Sequence, residues 1–329
     1  MIQKSFFSII IPVFNTEKLL PRCIESVLNQ SFNNFEIIII NDCSPGNCVE
    51  LINGYNDSRI KLIDKKQNEG THMARKSGVE LANSEYCLFL DSDDTFELNA
   101  LEELYNHLNI NPVDLLEFGF KDPSGKSKSN FNYLENKVCM LDRIINYNEK
   151  FQNHTIWTKA VKTEIVKKAF NKMKDFYCLW FEDGYEYFII TTQCKTFDAI
   201  EKYLYIYDMG GITTTSKIEL SYDKFSLRVK NIADIINALN TFLEDENLVR
   251  YKPIVNKIYE NQVNFLLNMY FSSVKRDDKV RSLQLALELF DEGIMTAYLD
   301  ELFSRPSTNS KFYKIFMILK RVKKILKRG

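Results

Sequence analysis

Apolar residues along the chain follow two rhythms. Ser8 to Val13 (SIIIPV), Phe35 to Ile40 (FEIIII) and Cys87 to Leu90 (CLFL) are short continuous apolar runs. Runs of this length, rich in β-branched or aromatic residues, predict strands buried on both faces. Ile60 to Ile63 predicts a further strand. Between the runs the spacing changes: Leu19, Leu20, Cys23, Ile24, Val27 and Leu28 recur at helical intervals, with Thr16 placed to cap the helix. Val49 to Tyr55 predicts a short helix, and Thr71 to Ala82 a longer one with Met73, Ser77 and Leu81 along one side. Strand and helix in alternation predict an α/β fold built on a doubly wound, mainly parallel sheet.

After about residue 120 the pattern loosens. Lys121 to Lys137 is polar, with Pro, Gly and Ser, and reads as a loop. Helical spacing returns over Thr163 to Phe170 and Glu182 to Gln193, and Tyr203 to Tyr207 is strand-like. From Tyr222 nearly everything fits helices, over 222–244, 251–274 and 279–300. A boundary near 215 therefore separates an α/β domain, 1–215, from a mostly helical C-terminal region, 216–310, and a basic amphipathic tail, 311–329. Gly210 to Thr215 (GGITTT) fits either a lid or a linker.

Composition narrows the classes. A chain of 329 residues with 45% hydrophobic residues and a formal net charge of −1 is an ordinary globular one, with no electrostatic bias toward nucleic acid. Seven cysteines without a C-x-x-C pair, and only three histidines, speak against zinc. Thiols scattered through apolar stretches predict a reduced, cytoplasmic protein. The first residues show no signal-peptide pattern, and no apolar run approaches the roughly 20 residues of a spanning helix.

The most informative stretch is Cys87 to Asp94, an apolar run ending in Asp91-Ser92-Asp93-Asp94. Open α/β sheets bind ligands at the carboxyl ends of their strands. Three acids crowded there repel one another unless a cation lies among them, and oxygen ligands suit Mg²⁺ or Mn²⁺. A solvated acidic turn with Asp94 or Thr95 as a helix cap fits the same residues.

Four motifs together resemble the family 2 glycosyltransferases of GT-A fold: Ser8 to Asn15 (SIIIPVFN), Glu36 to Ser44 (EIIIINDCS), Asn68-Glu69-Gly70 with Ala74-Arg75, and Asp91 to Asp94. They stand in the family's order, over about residues 5 to 215, with Ile156 to Lys159 and Phe181-Glu182-Asp183 resembling later, looser motifs. Asn41 departs from the family's more usual aspartate; Asp42 keeps the second.

The resemblance implies metal-dependent transfer of a sugar from a nucleotide-diphosphate donor, a UDP-sugar favoured, to a glycan or lipid-linked glycan of a bacterial cell surface. A divalent cation, Mn²⁺ or Mg²⁺, offsets the charge growing on the leaving diphosphate. By position, Asp93 ligates the metal, Asp91 serves the ribose and the metal shell, and Asp94 is a third candidate. Asp42 accepts the ring N–H of the base, Pro12 and Phe14 line its pocket, and Asn15, Asn68 and Gly70 belong to the same donor side. Arg75 approaches the diphosphate, or else sits at the surface pairing Glu69 or Glu80. Inverting transfer needs a base, which the resemblance places at Asp183 with Glu182 as neighbour and second candidate. Trp157 and Lys159 fall on the acceptor side, although packing accounts for a tryptophan equally well.

Residues 311–329 hold eight Lys or Arg and no acid, with an apolar stripe at helical spacing. That pattern fits a helix lying on an anionic membrane surface, on the inner face of the cell membrane, or one docked on its own domain. Two further classes fit parts of the chain: a haloacid-dehalogenase-type phosphohydrolase using Asp91 and Asp93 (D-x-D-x-T), and a non-catalytic, membrane-attached nucleotide-sugar-binding module. The first leaves the upstream motifs unexplained; the acids at 42, 91, 93 and 183 speak against the second.

Overall fold

The computed structural model describes residues 4–126, 141, 155–208, 220–291 and 293–295. Eight strands form one sheet: β1 (Ser5–Val13), β2 (Phe35–Asn41), β3 (Ile60–Asp64), β4 (Ser84–Phe89), β5 (Thr95–Phe96), β6 (Leu115–Lys121), β7 (Lys159–Lys162) and β8 (Phe197–Ile206). Their order is β3-β2-β1-β4-β7-β6-β8-β5. The β1–β2, β1–β4, β2–β3 and β6–β8 pairings are parallel; β4–β7, β6–β7 and β5–β8 are antiparallel. The strands expected from the sequence are present, and the doubly wound, mainly parallel sheet is confirmed.

Helices α1 (Leu20–Leu28), α2 (Cys48–Asn53), α3 (Thr71–Leu81), α4 (Ala100–Ile110), α5 (Thr163–Lys172) and α6 (Glu182–Gln193) intersperse the strands. The central strands are apolar on both faces because both are covered: Ile9, Ile10 and Ile11 of β1 and Ile37 to Ile40 of β2 are all buried. Chain order runs outward from β1 to β2 and β3, then returns through α3 to β4 on β1's other side. The crevice of such a sheet opens where the order reverses, between the carboxyl ends of β1 and β4.

Pro12 sits at that place. The β1–β4 pairing ends at Ile10↔Phe89, with Leu90 N–H donating to Ile10 O, while β1 continues beside β2 to Val13↔Asn41. Successive residues of a strand bond alternately to either side, and Asp42 N–H donates to Val13 O on the β2 side. The missing N–H of Pro12 therefore faces the β4 side, where the ladder has already stopped. Pro12 is buried and does not end the strand; it accompanies the parting of β1 from β4.

Two local expectations change. Thr16 does not cap α1 with its side chain: its carbonyl accepts from Leu19 and Leu20 N–H, and its Oγ1 bonds Ser92 Oγ at 2.8 Å. The buried face of α3 is His72, Ala74, Arg75, Gly78 and Val79, whereas Leu81 is exposed. Gly78 explains the rotation, since a Cβ there would lie 2.6 Å from Ile10 Cγ2 and 2.7 Å from Ile40 Cδ1. With no side chain at 78, α3 presses its backbone onto β1 and β2, and a histidine and an arginine are carried inward with it.

The chain divides into two compact units, residues 1–214 with 238–254, and residues 215–237 with 255–329. The second is helical in its described part, drawing on α7 (Tyr222–Asp245), α8 (Lys252–Ser273) and α9 (Lys279–Leu289). Leu220 pairs with Val274, and Asp278 accepts from Tyr222 N–H at 2.8 Å. Gly210–Thr215, most of the 121–137 loop and the basic tail lie outside the described residues. Among the described residues no helix is long and apolar enough to cross a membrane.

Candidate active site

The carboxyl ends of β1, β2 and β3 bring the first three motifs together. Asp42, just past β2, is buried, and its two carboxylate oxygens accept from the N–H groups of Glu69 (3.0 Å) and Gly70 (2.8 Å). Burial pushes its carboxyl up, against the pull of those two donors. Asp42 thus fixes the 68–70 segment to the end of β2. Gly70 has φ +85°, and a Cβ there would meet Cys178 O at 2.9 Å, so the segment also runs tightly beneath 177–178. Asn68 Oδ1 is buried and has no hydrogen-bond partner among the described residues. On the other side of Asp42, Phe14 is 47% exposed and Asn15 is exposed with φ 55°, its N–H donating to Ser44 Oγ. Phe14 is therefore not a core residue.

The acids after β4 take different directions. Asp94 turns inward: Tyr205 OH donates to its Oδ2 at 2.6 Å and Asp208 N–H to its Oδ1 at 2.7 Å. Burial, then Asp91 nearby, push its carboxyl up to about 8. Asp94 ties the acidic turn to β8, and its two oxygens are engaged there. Ser92 is held by Thr16. Asp91 and Asp93 keep their carboxylates partly exposed. Asp93 is pushed up to about 6, by burial first and Asp91 second. Arg22 braces the turn, donating to Asp93 O at 2.6 Å and pairing Asp208 at 2.7 Å.

Arg75 is neither a surface residue nor a partner of Glu69 or Glu80. Its side chain is 1% exposed, its Nη2 donates to Asp91 Oδ1 at 3.0 Å, and its Nη1 donates to both Asp183 Oδ1 and Glu186 Oε2, the latter at 3.0 Å. Glu182 Oε1 lies 3.9 Å from the same Nη1. Burial alone would lower the guanidinium's pKa, but these four acids outweigh it and raise it. Glu69 pairs instead with Lys65. The diphosphate expectation for Arg75 thus meets a guanidinium engaged by carboxylates, though its Nε, also buried, has no partner among the described groups.

Glu182 and Asp183 open helix α6. The residue before them, Phe181, has φ 65°, the left-handed region that a bulky side chain rarely adopts. Its ring folds under the first turn, where a Cβ on Gly184 would run into it. The Phe181–Gly184 fit therefore sets the angle at which Asp183 emerges. Burial pushes both acids up; Glu182 reaches about 8, with Asp183 as the next cause, while for Asp183 the guanidinium of Arg75 acts in the opposite direction.

Trp157 and Lys159 do not present themselves to an acceptor. Trp157 is 7% exposed and packs on Tyr205 (4.5 Å between ring centroids), Phe120 (4.9 Å) and Tyr207 (5.6 Å). Lys159 is buried, donates to Thr158 Oγ1 at 2.8 Å and pairs Glu117 at 3.6 Å. Both build the layer beneath the site.

Sequence reading missed Tyr205, Asp208, His72 and Glu186. The last carried a visible signal: an acid inside Tyr185-Glu186-Tyr187-Phe188-Ile189-Ile190, where a buried charge requires a partner.

Among the described residues no three His, Cys, Asp or Glu side chains are grouped to hold a metal ion unaided. Asp91 and Asp93 nevertheless fit Mg²⁺ or Mn²⁺: such ions commonly take one or two carboxylates and complete their shell with water and substrate phosphates. Two acids close in the chain, both raised by burial, with Asp183 raising Asp91 and Asp91 raising Asp93, are a donor set that a cation relieves.

Residues 8–178 match the family described as "Glycosyl transferase family 2". An uncharacterized glycosyltransferase of Haemophilus influenzae is 30% identical over 82% of this chain and 96% of its own length. The minor teichoic acid biosynthesis protein GgaB of Bacillus subtilis is 30% identical over 72% of this chain, which spans only 27% of that protein. The fold resembles the crystal structure of S. aureus TarS 1-349, with a TM-score of 0.61 at 20% identity, covering 88% of this chain and 82% of that one. The same TarS fragment in complex with UDP-GlcNAc gives a TM-score of 0.57 at 21% identity. Four motifs gathered on one sheet edge, the family match and the near-complete alignment with a relative agree: this chain is a glycosyltransferase enzyme and belongs to glycosyltransferase family 2.

Proposed function

We propose that the protein transfers a sugar, with inversion, from a UDP-sugar to a glycan or lipid-linked glycan acceptor of the cell surface, with Mg²⁺ or Mn²⁺ at Asp91 and Asp93. The observation that carries the reading is the meeting of Asp91 and Asp183 on one guanidinium, that of Arg75. An acid for the donor side and an acid for the acceptor side are thereby held within one side chain of each other. A UDP-GlcNAc complex of TarS and a teichoic acid relative support the donor and acceptor classes.

The chain's own residues divide the work. Phe14 offers an exposed ring to a nucleobase. Asn68 Oδ1, a buried acceptor without a partner, suits an N–H or O–H of the nucleoside. Asp42 keeps that segment in place and retains lone pairs for the uracil N–H. Asp91 and Asp93 hold the cation, which when bound offsets negative charge on the leaving diphosphate. Asp183 takes the proton of the acceptor hydroxyl as its oxygen attacks the anomeric carbon. Arg75 favours the carboxylate form of Asp183, against the burial that raises it, and aims it. Trp157 and Lys159 support this floor from beneath.

The basic tail, residues 311–329, suits an anionic membrane surface on the cytoplasmic side, where lipid-linked acceptors reside. Vesicle co-sedimentation of full-length and tail-deleted protein tests this part: equal pelleting of the two removes it.

No observation favours the phosphohydrolase or the non-catalytic module. The deciding experiment is a panel of nucleotide-sugars with Mg²⁺, Mn²⁺ or EDTA, read by release of UDP and by mass of the glycosylated acceptor. UDP release that needs a divalent cation and rises with acceptor is expected. Transfer at full rate in EDTA would remove the metal from the reading, and release from no UDP-sugar would remove the donor class.

A further inference from the structure

Helices α3 and α6 meet along a seam of charged side chains. His72 and Arg75 stand three residues apart on α3, and Glu182, Asp183 and Glu186 share one face of α6. The seam is graded. His72 and Glu186 are 0% exposed and Arg75 1%, whereas Asp183 is 20% and Asp91 29% exposed. A seam serving only cohesion would close over all its acids. This one opens at the base Asp183, at its neighbour Glu182, 16% exposed, and at the donor-side Asp91.

At its closed end the geometry is fully determined. His72 lies between the rings of Phe170 (5.9 Å) and Phe176 (5.5 Å), both near parallel to it, with Tyr185 edge-on at 5.5 Å. Its Nε2 is 3.2 Å from the carbonyl of Lys174 and its Nδ1 2.8 Å from Glu186 Oε1. A carbonyl only accepts, so Nε2 carries a hydrogen; a second hydrogen then lies between Nδ1 and Glu186, whichever atom bears it. Glu186 is thus gripped at Oε1 by His72 and at Oε2 by Arg75 Nη1. The same Nη1 reaches Asp183, while Nη2 reaches Asp91.

We infer that His72 and Glu186 are positioning residues for the transfer reaction, holding Nη1 of Arg75 and through it the base Asp183. The inference rests on the reading of Asp183 as the base. Glu186 shares Nη1 with Asp183 and not Nη2, so its loss falls on the acceptor-activating step rather than on donor binding at Asp91. Displacing a reacting group by about 1 Å costs on the order of 100-fold in rate.

The test compares His72→Phe, which keeps a ring in the aromatic cage, with His72→Asn, whose amide nitrogen stands where Nδ1 does. His72→Phe is expected to lose tenfold or more in kcat with donor KM within threefold of wild type. His72→Asn is expected to recover kcat to within threefold. Equal losses in the two variants, or an unchanged kcat in a folded His72→Phe, overturn the inference. If His72→Phe does not fold, Glu186→Met takes its place with the same kcat and KM expectation, since a methionine keeps the volume and leaves both neighbours without the carboxylate. A crystal structure of the impaired variant separates this from the transferase reading. Asp183 displaced from Arg75 supports positioning even if wild type transfers no sugar, and an unmoved Asp183 overturns it.

Discussion

Arg75 donates to Asp91 across 3.0 Å, joining a helix on one side of the sheet to the acidic turn beyond β4. The contact is buried on the arginine side and open on the aspartate side. A guanidinium enclosed by Asp91, Glu182, Asp183 and Glu186 compensates charges that would otherwise stand unpaired in the interior. Arg75→Ala should therefore cost roughly 3–5 kcal/mol of stability, as removal of one partner of a buried ion pair does. Arg75→Lys should recover only part, because one ammonium does not reproduce a fork reaching two acids. Denaturant titration of the three proteins checks this; equal stability would mean that the acids re-pair or protonate at no cost.

The acidic turn should show a pH-dependent metal affinity. Asp93, pushed up to about 6, takes up a proton as the pH falls through that value, and a protonated carboxyl is a poor ligand. Mn²⁺ binding followed by calorimetry should weaken below pH 6, by as much as tenfold per pH unit if one proton is displaced. Asp93→Ala should bind the ion poorly at every pH and abolish transfer with the fold intact. Affinity that is flat from pH 5 to 8 would place the ion elsewhere.

The chemical step should separate from donor binding at Asp183. Asp183→Asn should retain UDP-sugar binding and lose roughly 10²–10⁴-fold in turnover, the range for removal of a general base. In wild type, burial raises the Asp183 carboxyl, so turnover should climb with pH on the acid side as that group ionises. Weakened donor binding with normal turnover would move the base to Glu182.

Asp94 makes stability itself pH-dependent. Its carboxyl is raised to about 8 in the folded protein from the 3.8 of an ordinary aspartate. The folded state thus holds a proton that the unfolded state has released. The stabilisation is complete below about pH 4 and is lost as pH rises toward 8, with a slope near 1.4 kcal/mol per pH unit for one proton. Asp94→Asn removes the titrating charge and keeps an acceptor for Tyr205 OH or Asp208 N–H. Thermal melts of both proteins at pH 5 and pH 8 should show a smaller difference in the variant; identical differences would mean Asp94 stays ionised throughout.

Much of the α/β unit was legible in the chain because its signals are local. Runs such as SIIIPV and FEIIII are apolar on both faces only if both faces are covered, and this dictates a parallel sheet flanked by helices. The order of the motifs placed Asp42, Asp91 and Asp93 at the strand ends, where the backbone leaves little choice. Helix α6 was visible to its first residue, since Glu182 and Asp183 stand at a favoured helix start.

Which way each acid points was decided by the tertiary structure. Asp91, Asp93 and Asp94 are neighbours in the chain, yet Asp94 alone turns inward, because Tyr205 and the backbone of Asp208, over a hundred residues later, meet it there. Arg75 looks like a surface residue on a helical wheel; Gly78 one turn on draws α3 against Ile10 and Ile40 and carries Arg75 inside. Trp157 and Lys159 sit in a motif read as acceptor-facing, but the aromatic layer of Phe120, Tyr205 and Tyr207 and the Glu117 carboxylate enclose them. Residue type and periodicity determine which face a side chain occupies. Only the packing of distant elements determines which charges end up within hydrogen-bond reach of one another.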